Sequence, residues 1–255
     1  MLPMLTKYTL MLTQDFFIIP FVLVGFYFIN RRFFSEALML VMVAAAINTY
    51  LKFTFKIDLP PGINAHTYAF PSGHMTSTIV LWGWLAMRLN KKWMNALSFA
   101  LIAAIGFSLV YKGYHNWVDI AGSAITGILI IFLGTVTLAS AKDEYLPLVG
   151  VGLGIISIAL IKFLPKTQAH LWMGPGVIFA TSLAVWLQNK DGGNLSTYFY
   201  KTAAVSIAIF GIVVLYYVMP YAKPHMAVEL FNATKFGLIT FWSLYISDAL
   251  VKKGS

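Results

Sequence analysis

Long apolar runs, each ended by a short polar stretch, divide this chain from its second decade of residues to its end. A helix needs about 20 apolar residues to cross the hydrocarbon layer of a bilayer, and about 17 suffice. On that measure nine runs predict spans: 16–30, 33–53, 72–89, 93–111, 117–139, 146–163, 171–187, 203–219 and 230–250. The first is short and follows Gln14 and Asp15, so it crosses only where the bilayer thins or Arg31 and Arg32 snorkel. The last contains Lys235 and Asp248, which blurs its ends. The predicted fold is all-α, a multipass transmembrane helical bundle of about nine spans, with eight as the alternative count.

Composition agrees with the pattern. Of 255 residues, 59% are hydrophobic and 11% charged, against about 25% charged in soluble domains. No linker, charge block or fixed-period repeat divides the chain, so residues 1–255 are expected to form a single membrane domain. The N-terminus has neither a basic start nor a small-residue cleavage site, and the first apolar segment is expected to be retained. The absence of cysteine excludes disulfides and thiolate metal sites. The net charge of +9 is scattered over segment ends, as topology and anionic headgroups require, and no nucleic-acid partner is expected.

Charge also predicts orientation. Alternate connections hold Arg31 and Arg32, then Arg88, Lys91 and Lys92, then Lys142, then Lys190 and Lys201, then Lys252 and Lys253. The positive-inside rule puts these in the cytoplasm, with the N-terminus outside and the C-terminus cytoplasmic. All three arginines then lie inside. All five histidines (His66, His74, His115, His170 and His225) lie outside.

Two polar clusters on that outer side carry candidate chemistry. In FPSGHMTS (70–77), Pro71 suits a first-turn position and Ser72 a helix cap. The amides of Ser72, Gly73 and His74 are then expected to be unpaired, an anion-binding arrangement that Gly73 lets a ligand approach closely. His74 adds a proton donor or acceptor near neutral pH. Alternatively, the segment is only a capped helix start with an interfacial histidine. In YKGYHNWVD (111–119), His115 and Asp119 are four apart and share one helix face. The carboxylate can hold the imidazole in one tautomer and leave its other nitrogen as nucleophile or base. The plainer alternative is a local pair that stabilises the helix start.

Taken together, Lys52…Pro60, Pro71-Ser72-Gly73-His74 and Ser108…His115-x3-Asp119 resemble the type-2 phosphatidic acid phosphatase superfamily. Glucose-6-phosphatase and the vanadium haloperoxidases are also members. The family pattern is K-x6-R-P, P-S-G-H and S-R-x5-H-x3-D. The resemblance implies that residues 33–140 form a phosphatase-like core, with 141–255 as additional C-terminal transmembrane helices. It also implies that His115 attacks phosphorus to form a phosphohistidine, that Asp119 orients it, and that His74 protonates the leaving oxygen. Lys52, Ser72 and the amide of Gly73 would bind the phosphoryl oxygens.

The departures are equally specific. Leu59 and Leu109 stand where the family has its two phosphate-binding arginines. A hydrogen bond to a charged group contributes about 1.5–3 kcal/mol, so losing two removes roughly 3–6 kcal/mol of transition-state binding, or about two to four decades in rate. Lys56 and Lys112 each lie three residues from a vacant position and offer charge, though as point donors rather than planar forks. Their alternative role is to meet lipid headgroups.

Gly150, Gly152 and Gly154 read as a close helix-packing face rather than a phosphate loop. His66, His170 and His225 lack metal-ligand spacing, so neither a metal nor another cofactor is expected. Lys235 is expected to snorkel outward. The function implied is metal-independent hydrolysis of a phosphomonoester or pyrophosphate on a lipid, with membrane lipids and a phosphorylated lipid substrate as partners. The site would face the extracytoplasmic side of a cell membrane, such as a bacterial inner membrane. Phosphotransfer to a second lipid, or non-catalytic binding of lipid phosphate by a pseudoenzyme, are the alternatives.

Overall fold

The computed structural model describes residues 2–61, 67–164, 169–191 and 198–253, and among these it is helical without strands. His66 lies outside the described residues. In chain order the helices are α1 (Leu2–Met11), α2 (Asp15–Phe28), α3 (Arg31–Phe55), α4 (Gly73–Leu89), α5 (Lys92–Tyr111), α6 (Trp117–Gly134), α7 (Leu146–Lys162), α8 (Met173–Asp191), α9 (Tyr198–Val218), α10 (Val228–Phe241) and α11 (Ser247–Lys253). A π-helical turn, Thr135–Ala139, prolongs α6, and another, Trp242–Ile246, joins α10 to α11.

Each expected apolar run contains a helix, but the span count differs. Five helices are long and apolar enough to cross a membrane: Arg31–Phe55, Lys92–Tyr111, Trp117–Ala139, Ala169–Asp191 and Tyr198–Lys223. The bent pair α1 and α2, with 52° between its halves, makes a sixth if it acts as one span. Length and composition therefore support five to six crossings, short of the nine expected. The runs left out hold shorter α-helices, with 14 residues in α2, 17 each in α4 and α7, and 14 and 7 in α10 and α11. The helix α1 falls on residues where the apolar pattern predicted none. It lies along α5, and its Leu10 packs on the apolar cluster of Met75, Ile79, Ile105 and Leu109.

The centre of the bundle is α3, which packs against α2, α4, α6, α7 and α8. Its buried residues include Phe34, Ala37, Met39, Leu40, Val43 and Ala44, and around them Phe26, Trp84 and Leu85 are almost fully buried. Small residues set how closely the neighbours approach. A β-carbon on Gly127 would lie 2.7 Å from Ile79, and one on Gly134 would lie 2.8 Å from Leu40 and Trp84. These positions press α6 against α3 and α4, bringing the starts of α4 and α6 side by side. The VGVGLG glycines act as a packing face too. Gly150 meets Met39 and Ser182, Gly154 meets Phe179 on α8, and Gly152 has no such neighbour within 4 Å among the described residues.

The charges separate along α3. At its start, the fully buried Glu36 accepts from Arg32 Nε (2.8 Å) and from Arg88 Nε (2.8 Å) and Nη2 (3.1 Å). Beside it Arg31 makes a two-pronged pair with Asp248 at 2.5 and 3.1 Å. Lys52 sits 21 residues further along, about 31 Å away at 1.5 Å per residue. The three arginines thus share one end of the bundle, while His74 and His115 share the other.

Candidate active site at the start of α4 and α6

Ser72 caps α4, its hydroxyl accepting from the Met75 N–H at 3.5 Å. The helix begins at Gly73, so Pro71 precedes the cap instead of occupying the first turn as its sequence position suggested. The Ser72 N–H is not an open anion donor either, since it donates to the Asp119 carbonyl at 3.4 Å. From the other side, the Ser123 hydroxyl reaches both the Ser72 carbonyl (3.0 Å) and the Asp119 carbonyl (2.7 Å). These bonds tie the first turn of α4 to the first turn of α6. Two motifs some forty residues apart in sequence thereby share a site.

The second motif is shaped by how α5 ends. Lys112 is the C-cap, and Gly113 follows with φ 70°, a left-handed conformation that favours glycine. The Gly113 N–H then reaches the Val110 carbonyl (2.9 Å) and the Tyr114 N–H reaches that of Leu109 (3.0 Å), a Schellman closure. The chain turns back and delivers His115 just before α6. There Asn116 and Asp119 form a reciprocal capping box, with Asn116 Oδ1 accepting at 2.9 Å and Asp119 Oδ2 accepting at 3.1 Å.

That same Asp119 oxygen, Oδ2, lies 3.1 Å from His115 Nδ1. The carboxylate is buried, and its Oδ1 has no hydrogen-bond partner among the described residues. With Nδ1 engaged as donor, the other imidazole nitrogen, Nε2, keeps its lone pair. Lys52 and His74 are both close enough to act electrostatically on His115, and Lys52 acts likewise on Asp119. His74 is exposed at the start of α4. Lys52 is buried, its Nζ donating to the carbonyls of Tyr68 and Ala69, the latter at 3.2 Å. Gly73 is half-buried in the first turn of α4. Four sequence candidates (His74, His115, Asp119 and Lys52) therefore converge on one place, with Ser72 and Gly73 forming its helix terminus.

The remaining candidates lie differently. Lys56 is exposed, at the left-handed C-cap of α3 (φ 53°), and Lys112 is half-buried at the C-cap of α5. Neither is among the groups whose charge acts most on His115. Leu109 is buried in the apolar cluster with Met75, Ile79 and Ile105, and Leu59 is half-buried. His170 and His225 lie on the short 3-10 turns before α8 and after α9. Among the described residues, no three His, Asp or Glu side chains are grouped to hold a metal ion. Lys235 lies with Nζ 4.0 Å from the centre of the Tyr216 ring.

Asn48 was not anticipated. It is buried one helical turn before Lys52, and its Nδ2 donates to the Pro71 carbonyl (3.3 Å) and to Thr76 Oγ1 (3.0 Å). Its Oδ1 would stand 3.3 Å from a β-carbon on Gly73. An amide in the apolar run 33–53, four residues from Lys52, was the available signal.

Burial, above all, pulls the His115 pKa below its ordinary value. The Asp119 hydrogen bond opposes that shift, and the nearby charges of Lys52 and His74 reinforce it. A lowered pKa keeps the imidazole neutral further into acid. Any activity that needs neutral His115 is therefore expected to lose its acid limb only below the usual imidazole value of about 6.5. Asp119→Asn removes a group that raises this pKa, so the acid limb should move lower still; a pH profile of kcat/KM reads both.

The comparison with known families bears on this same region. Residues 34–142 match the PAP2 superfamily. The PAP2 segment runs from the start of α3 past the π turn after α6, and so contains every residue gathered at the site. Members of this superfamily generally hydrolyse phosphoric esters, and their phosphorylated substrates are often lipids. No curated protein and no solved structure matches the chain. The match covers less than half of the chain, and the long apolar helices point to a membrane protein.

Proposed function

We propose that this protein hydrolyses a phosphomonoester or pyrophosphate on a membrane lipid, through a phosphohistidine on His115 and without a metal ion. The single observation that carries the proposal is the pairing of His115 Nδ1 with buried Asp119 beside the first turn of α4. In this reading the Nε2 lone pair attacks phosphorus while the bond to the leaving oxygen breaks. His74 gives that oxygen a proton, and Asp119 stabilises the positive charge developing on the imidazole. Water then attacks the phosphohistidine and gives its proton to His74, and inorganic phosphate leaves with His115 restored. Lys52 and the amides opening α4 neutralise the phosphoryl oxygens. A site at helix ends suits a headgroup at the membrane surface. Together with the positive-inside distribution of basic residues, this supports a site on the extracytoplasmic face of a cell membrane.

Phosphate release from a panel of lipid phosphates by the purified protein tests the reading. Vanadate should inhibit and EDTA should not. Turnover of a soluble sugar phosphate alone would remove the lipid from the proposal. A strict need for a divalent ion would remove the metal-free mechanism.

One feature favours a second reading, a non-catalytic binder of lipid phosphate. Leu109 is buried in an apolar cluster and Lys52 Nζ is already held by backbone carbonyls, so the phosphate clamp is weaker than the family pattern provides. Saturable lipid-phosphate binding with no phosphate release would establish it. In an active enzyme, Lys112 is expected to assist Lys52, because it adjoins Gly113 in the turn that delivers His115. Lys112→Ala should then cost about 1.5–3 kcal/mol in kcat/KM, the range of one charge-assisted hydrogen bond. If Lys112→Ala and Lys56→Ala are both silent, no second lysine holds the phosphate.

A further inference from the structure

A second polar site lies at the end of the bundle remote from His115. A half-open cavity of about 520 Å³ is enclosed by the end of α2, the start of α3, and parts of α8 and α9. Its charged lining is three cations (Arg31, Arg32 and Lys201) against one carboxylate, Asp143. The arginines are held in place from behind, Arg31 by Asp248 and Arg32 by Glu36 and Asp143. Lys201 has no carboxylate partner among the described residues; it lies about 6 Å from the rings of Phe28 and Tyr198.

Two further features point to a ligand. Ser35 lines the cavity, is 1% exposed, and its hydroxyl has no hydrogen-bond partner among the described residues. An unsatisfied buried hydroxyl costs about 1–3 kcal/mol, which a bound acceptor would relieve. The first turn of α3, capped by Asn30, also opens here, adding the positive end of a 25-residue helix.

The surroundings identify the source of the anion. Phe33, Leu146 and Val185 give the cavity apolar walls. Ile29 in its lining and Tyr198 beside Lys201 are exposed hydrophobic residues (53% and 79%) at the ends of apolar helices, as residues meeting a membrane interface are. A soluble anion has no use for such a border, whereas a lipid headgroup arrives with its acyl chains beside it. We infer that this cavity is a second, non-catalytic site, which binds the phosphate of an anionic phospholipid. Basic pockets between membrane helices hold such headgroups by charge and hydrogen bonding.

The inference is independent of the phosphatase reading, and its test reads binding rather than turnover. The full-length protein is reconstituted with phosphatidylcholine alone or with added phosphatidylglycerol, and retained lipid is measured by native mass spectrometry. Wild type should retain phosphatidylglycerol preferentially. Lys201→Ala should weaken that retention about ten-fold or more, the loss of one charge-assisted hydrogen bond. Ser35→Ala should weaken it less, and Lys92→Ala, which removes an exposed lysine outside the cavity, should leave it unchanged. Equal retention of both lipids, or identical behaviour of Lys201→Ala and Lys92→Ala, overturns the site. Inorganic phosphate binding as strongly to delipidated protein, and lost in Lys201→Ala, overturns the lipid assignment in favour of a free anion.

Discussion

His115→Ala is expected to abolish phosphate release from any lipid phosphate that the wild type hydrolyses, and Asp119→Asn to reduce it by about 10²–10⁴-fold. Alanine removes the only nucleophile in the proposed reaction, so no slower version of the same route remains. Asparagine occupies nearly the same space, and its oxygen can still accept from Asn116 N–H and His115 Nδ1, now at 3.1 Å each. What it lacks is the negative charge that stabilises the imidazolium as the phosphorus–nitrogen bond forms. Both variants need a fold control, since Asp119 is buried and its Oδ1 is already without a partner. Thermal unfolding in detergent supplies one. Comparable turnover by a folded His115→Ala protein would sink the phosphohistidine route. Trapping of labelled phosphate on the wild-type chain, and its absence in His115→Ala, would support the route directly.

Leu109→Arg should destabilise the protein rather than repair its phosphate clamp. From sequence the substitution restores the family's arginine beside the nucleophile and has two plausible outcomes. The packing decides between them. Leu109 is 3% exposed on the last turn of α5, enclosed by Met75 and Ile79 of α4 and by Ile105. A guanidinium placed there loses its hydration, and the cluster around it holds no carboxylate. An uncompensated buried charge of this kind costs about 3–5 kcal/mol. The cost falls close to the site, because the Leu109 carbonyl accepts the Tyr114 N–H that closes the turn before His115. A lowered unfolding temperature with reduced activity is the expected result. Unchanged stability with raised activity would show that residue 109 reaches the phosphate and that its apolar surroundings give way.

The helices were legible in the sequence because a membrane segment must satisfy its own backbone hydrogen bonds, and long apolar runs announce where it does so. The two motifs were legible for a similar local reason: Ser72 is a helix cap, and His115 and Asp119 stand four apart at a helix start, although His115 lies just before the Asn116 cap rather than on a face of α6. Span number was less accessible, since a run of apolar residues does not reveal where its helix stops, as α2 does after 14 residues and α4 after 17. Four properties belong to the tertiary structure: the stitching of Ser72 to Asp119, the bracing of the first motif by Asn48, the burial of Leu109 and the basic cavity around Ser35. Each depends on which residues of different helices come into contact. That is set by close packing at small residues such as Gly127 and Gly134, whereas the sequence by itself determined the helices, their caps and the His115–Asp119 pair, whose partners lie within one or two turns.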